Sequence, residues 1–189
     1  VLVASFGFAS GAAEAGEEAE FSIGNGAEPE SLDPHLVSGV PEHRIMMGIY
    51  EGLVTPDPES ARAMPGVAES WEISDDGTVY TFTIRDDAQW NDGTPITAQQ
   101  IVDSWIRMLN PDTAAPYAWF PSMFIEGAAQ YNAGEADADA VAVEALDEKT
   151  FRFETVGPLP YTLDALAHYS FAIVPIHAIE EYGSEWTLP

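Results

Sequence analysis

Two predicted β-hairpins that flank one strongly amphipathic stretch constrain the fold of this chain more than any other feature. In residues 67–84, alternating apolar and polar residues run on both sides of a turn at Asp75-Asp76-Gly77, which is the pattern of a hairpin. Residues 141–155 show the same pattern around a polar turn at residues 147–149. Alternation places every second residue of a strand on one face. The apolar faces of the two second strands would carry Tyr80, Phe82, Ile84, Phe151 and Phe153.

The stretch between the hairpins predicts a helix that is capped by Thr97 and ends at Asn110. Thr97 and Gln100 have the spacing of a capping box, and Pro111 stops the helix. A broad apolar face indicates that the helix packs against a core. This face would carry Ile101, Val102, Trp105, Ile106, Met108 and Leu109.

Two further helices are predicted, and together with the hairpins they indicate the fold class. Pro41 suits the first turn of a helix. The apolar stripe of this helix would consist of Ile45, Ile49 and Leu53. Residues 175–182 predict a short helix closed by Gly183. Hairpins interleaved with single helices indicate a mixed α/β (α+β) fold rather than a regular βαβ alternation.

The composition excludes several classes of partner. The chain has 189 residues, of which 46% are hydrophobic, so it can bury a core of about one domain. Six Lys and Arg face 32 Asp and Glu, and the net charge of −26 would repel nucleic acids and anionic lipid headgroups. This acidity predicts a strongly solvated surface suited to a salty medium, with an acidic recognition patch as the alternative. Because cysteine is absent, this chain can form no disulfide or thiolate metal site, and no lipid-modified cysteine anchor is expected.

The N-terminal residues predict a remnant of a secretory signal. Residues 1–9 are mostly apolar, and Ala13-Glu14-Ala15 fits a small-x-small cleavage site. The apolar run is shorter than the roughly 20 residues that span a bilayer, although a buried core strand remains the alternative. Residues 1–20 are therefore predicted to be a signal remnant with a flexible leader. The chain is expected to be a fragment, since it starts without Met and stops at Pro189.

No stretch carries the signature of a catalytic, nucleotide or metal site, so the chain is predicted to be no enzyme and to need no cofactor. The glycine-rich phosphate motifs and the G-x-S-x-G nucleophile motif are absent. Adjacent carboxylates such as Asp75 and Asp76 fall in predicted turns. The four histidines lack the HExxH spacing and are interpreted as loop and helix-end residues. A metal held by His35, Glu42 and His43 is the alternative.

An aromatic cluster lies between two prolines, at residues 116–121. It contains Tyr117, Trp119 and Phe120, and the flanking prolines predict a stiff loop rather than a regular helix. Such a loop can line a ligand cleft or cover the core. Both interpretations stay open.

Several motifs in one order resemble a known family. The segments EPESLDPH at residues 28–35, GVPE at 39–42 and YEGL at 50–53 resemble the opening of the oligopeptide-binding proteins of ABC importers. These are the extracytoplasmic solute-binding proteins of family 5. Further matching segments follow at residues 65–71, 76–85, 90–98, 110–117 and 185–187. The resemblance covers residues from about 20 to 189.

The resemblance implies a periplasmic-binding-protein-like fold, of which this chain would be the incomplete first lobe. Such proteins have two lobes around a cleft, in the type II, cluster C-like arrangement. Residues 21–50 and 157–189 would form the core subdomain of this lobe. Residues 51–156 would form an inserted subdomain. The second lobe, which in the family holds the peptide's charged termini, would lie outside the chain.

The resemblance also implies a function and a binding segment. Ser38, Gly39 and Val40 match the segment that lines an extended peptide, and Tyr117 matches an aromatic side chain near the side-chain pockets. Some relatives have an acidic residue where this chain has Ser38. The implied protein is a soluble periplasmic monomer that captures short peptides for the permease subunits of an ABC transporter, without inserting into the membrane. Dipeptides, nickel chelates or sugars are alternative cargoes, and a secreted hydrolase is a more remote alternative.

Overall fold

The computed structural model describes residues 24–188, which form a mixed α/β fold. The signal remnant and leader predicted at residues 1–20 lie outside the described residues. So do residues 21–23, whose alternation of apolar and polar residues predicts a short strand. The helices are α1 (Val40–Ile49), α2 (Ala98–Leu109), α3 (Trp119–Ser122), α4 (Ala128–Asn132), α5 (Thr162–Leu166) and α6 (Ile176–Tyr182). The strands are β1 (Val54–Pro56), β2 (Ala63–Pro65), β3 (Ala68–Ile73), β4 (Val79–Ile84), β5 (Val143–Ala145) and β6 (Thr150–Glu154).

Both predicted hairpins are present, and they join through their second strands. The four-stranded sheet has the order β3-β4-β6-β5, with every neighbouring pair antiparallel. Phe82 lies opposite Phe151, and Tyr80 lies opposite Phe153. These aromatic side chains are almost fully buried because they share the face that the sheet turns to the core. Strands β1 and β2 form a separate two-stranded sheet.

Helix α2 begins and ends as its sequence predicts. The side-chain oxygen of Thr97 accepts a hydrogen bond from the backbone N–H of Gln100, and the Gln100 side chain accepts one from the backbone N–H of Thr97. This capping box satisfies two backbone donors at the helix start. The helix ends at Leu109, and the backbone N–H of Asn110 still bonds to the carbonyl of Ile106.

Trp105 is at the centre of the main hydrophobic core. It is fully buried, and its ring meets Phe151, Phe153 and Phe171 edge-on at centroid distances of 4.9, 5.4 and 5.2 Å. Phe171 comes from the C-terminal part of the chain, so this core contains residues from both of the predicted subdomains. The division at residues 51–156 therefore stays a prediction. No helix within residues 24–188 has both the length and the apolar character needed to cross a bilayer.

Helix α1 buries a different face from the predicted one. Glu42 and Met46 are its buried residues, whereas Ile49 is 56% exposed. The predicted stripe continued to Leu53, but the helix ends at Ile49, and Leu53 reaches the main core from the extended chain beyond it. The helix ends before Leu53, and Ile49 is exposed because the rest of the chain covers the side of α1 that carries Glu42 and Met46, so the predicted stripe is wrong.

We expect Trp105→Ala to lower the free energy of unfolding by about 3–5 kcal/mol, because it leaves a large cavity among aromatic rings. Trp105→Phe should cost less. It keeps much of the apolar volume and removes the indole N–H, which has no hydrogen-bond partner among the described residues. Chemical denaturation measures both changes. Leu146→Ala is the matched control, since Leu146 is 51% exposed and its loss should cost under about 0.5 kcal/mol. A Trp105→Ala midpoint equal to that of the control would contradict this account of the core.

Candidate functional site

A buried ion pair anchors the loop that leads to the predicted binding segment. The guanidinium of Arg107, on α2, donates to both carboxylate oxygens of Asp33, with Nη2–Oδ2 at 2.6 Å and Nη1–Oδ1 at 3.2 Å. Nη1 also lies 2.8 Å from Nδ1 of His35. The side chain of Asp33 is 4% exposed and that of Arg107 is 19% exposed. The pair is therefore largely removed from water, and its bidentate geometry compensates for that loss.

The two titrating groups of this cluster, Asp33 and His35, both have a lowered pKa. Burial alone would raise the pKa of Asp33, but the hydrogen bonds from Arg107 and the neighbouring positive charge hold it below its ordinary value. Burial lowers the pKa of His35 to about 4, against the opposing effect of the Asp33 carboxylate. His35 is therefore neutral near pH 7 and can accept a hydrogen bond from Arg107 through Nδ1. It is a buried partner of an ion pair, a role that its place in a loop did not predict.

Two more side chains tie the same loop to distant parts of the chain. The hydroxyl of Tyr50, just after α1, donates to the carbonyl of Leu32 at 2.8 Å. The indole N–H of Trp186 donates to Oδ2 of Asp33 at 3.2 Å. The loop before Ser38 is thus held from α1, from α2 and from the C-terminal segment, which gives the exposed residues that follow it a fixed starting point.

The predicted binding segment Ser38–Val40 is exposed, and its middle residue has a backbone conformation that favours glycine. Gly39 has φ of 130°, and a Cβ built there would lie 2.7 Å from Oε2 of Glu42. Glu42 is 5% exposed, and its other oxygen accepts a hydrogen bond from the backbone N–H of Glu30. Gly39 therefore exposes backbone where any other residue would be strained and would push against a buried carboxylate.

Tyr169 joins the predicted segment to Tyr117. Its hydroxyl donates to the carbonyl of Val37 at 3.2 Å, and its ring meets Tyr117 edge-on with centroids 5.7 Å apart. Burial, followed by the nearby phenol of Tyr117, raises the pKa of Tyr169. The structure thus links Tyr117, through Tyr169, to Val37, the residue just before the predicted binding segment Ser38–Val40. Their role in binding stays a prediction. Sequence reasoning missed Tyr169, because no local motif marks it.

Two histidines complete the aromatic surroundings. The ring centroid of His43 lies 6.0 Å from that of His168 and 5.5 Å from that of Tyr169. His168 lies 4.9 Å from Tyr117, and its pKa is lowered by burial and then by the charge of His43. Within residues 24–188 no group of three His, Cys, Asp or Glu side chains could hold a metal ion.

The cations of the chain are all engaged within it. Four arginines form ion pairs with carboxylates, Lys149 donates to the carbonyl of Arg85, and Arg44 donates to the carbonyl of Asn25. These six are every Lys and Arg in the sequence. None of these hydrogen bonds and ion pairs involves the side chain of Ser38, Val40 or Tyr117 in the described part of the chain. The site surface can therefore offer a ligand main-chain and aromatic contacts. The cations of the chain already have partners elsewhere.

The segment between Pro116 and Pro121 is only partly a loop. Residues Trp119–Ser122 form one helical turn, α3, which contains Pro121. Proline is tolerated in a first helical turn because its missing N–H would have no intrahelical partner there. The prediction that two prolines forbid helix in this segment is therefore wrong for its second half.

The comparison with known sequences gives a consistent set of relatives. The family model for bacterial extracellular solute-binding proteins, family 5 Middle, matches residues 62–188. The periplasmic oligopeptide-binding protein OppA of Haemophilus influenzae is 41% identical over 171 residues, which are 90% of this chain and 31% of that protein. The periplasmic murein peptide-binding protein MppA of Escherichia coli is 40% identical over 163 residues, 86% of this chain and 30% of that protein. The chain thus spans about a third of the length of these relatives.

Solved structures agree with the sequence relatives. The crystal structure of the oligopeptide-binding protein OppAIV of Borrelia burgdorferi has a TM-score of 0.82 at 40% identity and covers 85% of this chain and 32% of its own. Haemophilus influenzae OppA in complex with the peptide RPPGFSPFR has a TM-score of 0.82 at 40% identity, covering 86% of this chain and 32% of its own. These neighbours are type II periplasmic solute-binding proteins, so the predicted fold class is confirmed.

We expect Gly39→Ala to lower the free energy of unfolding by about 1–3 kcal/mol, because alanine is strained at this φ and its Cβ displaces the Glu42 carboxylate. Thermal unfolding followed by circular dichroism measures the change. Gly48→Ala, within helix α1, is the matched control: nothing lies within 4 Å of its Cβ position, and alanine there should stabilise the helix by about 0.5–1 kcal/mol. Equal effects of the two substitutions would contradict the strain at Gly39.

Stability should fall as the pH falls from about 6.5 towards 4, because the unfolded chain protonates His35 near its ordinary pKa while the folded chain resists protonation down to about 4. The loss over this window should reach roughly 2–3 kcal/mol. Asp33 extends the loss to lower pH, since its folded-state pKa lies below that of the unfolded chain.

Urea titrations at a series of pH values measure this slope. His35→Gln should reduce the slope without abolishing it, because the lowered pKa of His168 acts in the same direction. Leu146→Ala, which removes no titrating group and leaves His35 in place, is the control and should keep the slope. An unchanged slope in His35→Gln would show that His35 is not a source of the acid sensitivity.

Proposed function

This chain belongs to the bacterial extracellular solute-binding proteins of family 5, and we propose that it is part of the peptide-capturing component of an ABC importer. The observation that carries the proposal is that Tyr169 contacts both Tyr117 and Val37, the residue just before the exposed segment Ser38–Val40. The relatives named above are periplasmic binding proteins for oligopeptides and murein peptide. A binding protein needs no catalytic group, and we assign no enzymatic step to this chain.

The exposed segment suits the main chain of an extended peptide. Gly39 has no side chain to block close approach, and the neighbouring backbone lies at the surface just before α1. A peptide held through its main chain pairs like an added strand, which explains how one site can accept many sequences. The proposed role of Ser38, Gly39 and Val40 is to offer this backbone, and that of Tyr117 is to contact a side chain of the peptide.

We assign the subdomains as the sequence predicts them, with residues 21–50 and 157–189 as a core subdomain and residues 51–156 as an inserted one. All six strands lie within residues 54–154, which supports the inserted unit. The ionic partners of the peptide termini are proposed to come from a second lobe, since the cations of this chain are already paired. Closure of the two lobes around the peptide would then complete the site.

The proposed setting is the periplasm, where the protein would act as a monomer and deliver peptide to permease subunits. The −26 net charge disfavours nucleic acids and anionic membrane surfaces as partners. The mature protein is proposed to be soluble, with the N-terminal residues removed near Gly16 on export. N-terminal sequencing of the exported protein tests this, and an intact, membrane-bound N-terminus would contradict it.

We expect the full-length protein that contains this chain to bind a mixed pool of short peptides with micromolar or tighter affinity in calorimetry. The 189-residue chain alone should not bind measurably. This chain would cover only one side of the ligand and would leave most of the ligand surface in water. Binding must first overcome an association cost of about 4–15 kcal/mol.

Circular dichroism of the chain alone is the control that it is folded. Nickel–histidine mixtures and sugars serve as competing ligands, and mass spectrometry of the recovered peptides reports any hydrolysis. Peptide cleavage, or tight binding of nickel or sugar without peptide binding, would contradict the proposed function. Micromolar binding by the folded chain alone would contradict the assignment of half a cleft to it.

A further inference from the structure

A group of aromatic side chains lies next to the proposed main-chain site. We call it the aromatic ledge and define it as His43, Tyr117, Trp119 and His168. Tyr117 is its centre, with ring centroids 4.9 Å from His168 and 6.1 Å from Trp119. His43 closes the other side, 6.0 Å from His168. The ledge is therefore one continuous aromatic surface built from three separate parts of the chain.

Trp119 is the member of the ledge whose apolar surface is open. It is 55% exposed, and Met123, one helical turn later, is 62% exposed. By contrast, Trp105 is fully buried in the core. A large aromatic side chain and a methionine exposed side by side form an apolar patch of the kind that marks a binding surface.

The backbone that carries Trp119 is held firmly. Pro116 and Pro121 restrict the chain on both sides of it. The next residue, Phe120, packs edge-on against Phe124 and Phe171, with both centroid distances at 5.8 Å. Trp119 is therefore presented on a rigid support, and little conformational entropy would be lost when a ligand covers it.

The ledge is linked to the residue that precedes the main-chain segment, because Tyr169 contacts Val37 as well as two ledge residues. The Tyr169 hydroxyl holds the carbonyl of Val37 at 3.2 Å, and its ring packs against Tyr117 and His43. An extended peptide advances about 3.3 Å per residue, with successive side chains on opposite faces. A peptide whose main chain lies along Ser38–Val40 would thus direct alternate side chains towards the ledge.

We infer that the aromatic ledge is a side-chain subsite that selects peptides carrying an aromatic or large apolar residue. The inference rests on the proposed peptide-binding function and specifies the class of peptide. A carboxylate side chain would find no free cation here, since all six cations of the chain are engaged elsewhere. A cationic side chain would find no carboxylate among the four residues of the ledge. An aromatic ring or a long aliphatic chain instead buries apolar surface against Trp119 and Met123.

The test is a comparison of tripeptides Gly-X-Gly binding to the full-length protein and its Trp119→Ala variant, with X as Phe, Trp, Leu, Ala, Lys or Glu. The wild-type protein should bind the Phe, Trp and Leu peptides best. Trp119→Ala should weaken these three about tenfold and change the Ala peptide less than about twofold. Trp119→Phe should keep the preference, because it retains an aromatic face at the same place.

Ile73→Ala is the matched control, since Ile73 is 44% exposed on β3, away from the ledge, and its loss should leave every affinity unchanged. The inference is overturned if Trp119→Ala leaves the order of affinities intact, or if the Lys or Glu peptide binds best to the wild-type protein. Either result would contradict the subsite without contradicting the proposed peptide-binding function. If no peptide binds to the wild-type protein, the proposed function and the subsite both fail.

Discussion

The buried ion pair between Arg107 and Asp33 connects the longest helix of the fold to the loop that precedes the exposed site. Removing two charges from water is costly, and one lost partner would leave the other charge buried and unpaired. Here His35 and the indole N–H of Trp186 complete the surroundings of the pair. The cluster joins the loop to α2 and to the C-terminal segment, and in this way it positions the start of the site residues.

Helix α2 contacts three other parts of the molecule. Trp105 fills the space among Phe151, Phe153 and Phe171, while the neighbouring Ser104 accepts a hydrogen bond from the backbone N–H of Val174 at 3.1 Å. Arg107 then reaches the loop at Asp33. Because one helix contacts the sheet, the C-terminal segment and the site loop, a shift of α2 would change all three together.

The distribution of charge in this chain limits the kinds of contact that the candidate site can make. An excess of carboxylates keeps the surface hydrated, while the few cations are used to hold the chain together. What is left around Ser38–Val40 is backbone and aromatic surface. We propose that such a surface recognises the main chain of a peptide, which varies least, and its uncharged apolar side chains.

The sequence by itself determined the elements that depend on neighbours a few residues apart. The two hairpins, the capping box at Thr97 and the end of α2 at Asn110 follow from turn residues, periodicity and cap chemistry. Resemblance to a family also pointed to the segment around Gly39. The helix face of α1 was mispredicted, because periodicity cannot report where the helix stops or which side the rest of the chain will cover.

Only the tertiary structure decided the contacts that build the site. Asp33 and Arg107 are 74 residues apart, and Val37 and Tyr169 are 132 residues apart. No local pattern marks either pair, because each member looks like an ordinary polar or aromatic residue in its own segment. Burial of Asp33 and His35 arises when α2 and the C-terminal segment close over their loop. Long-range packing, which depends on the whole chain at once, is therefore what turns these residues into a site.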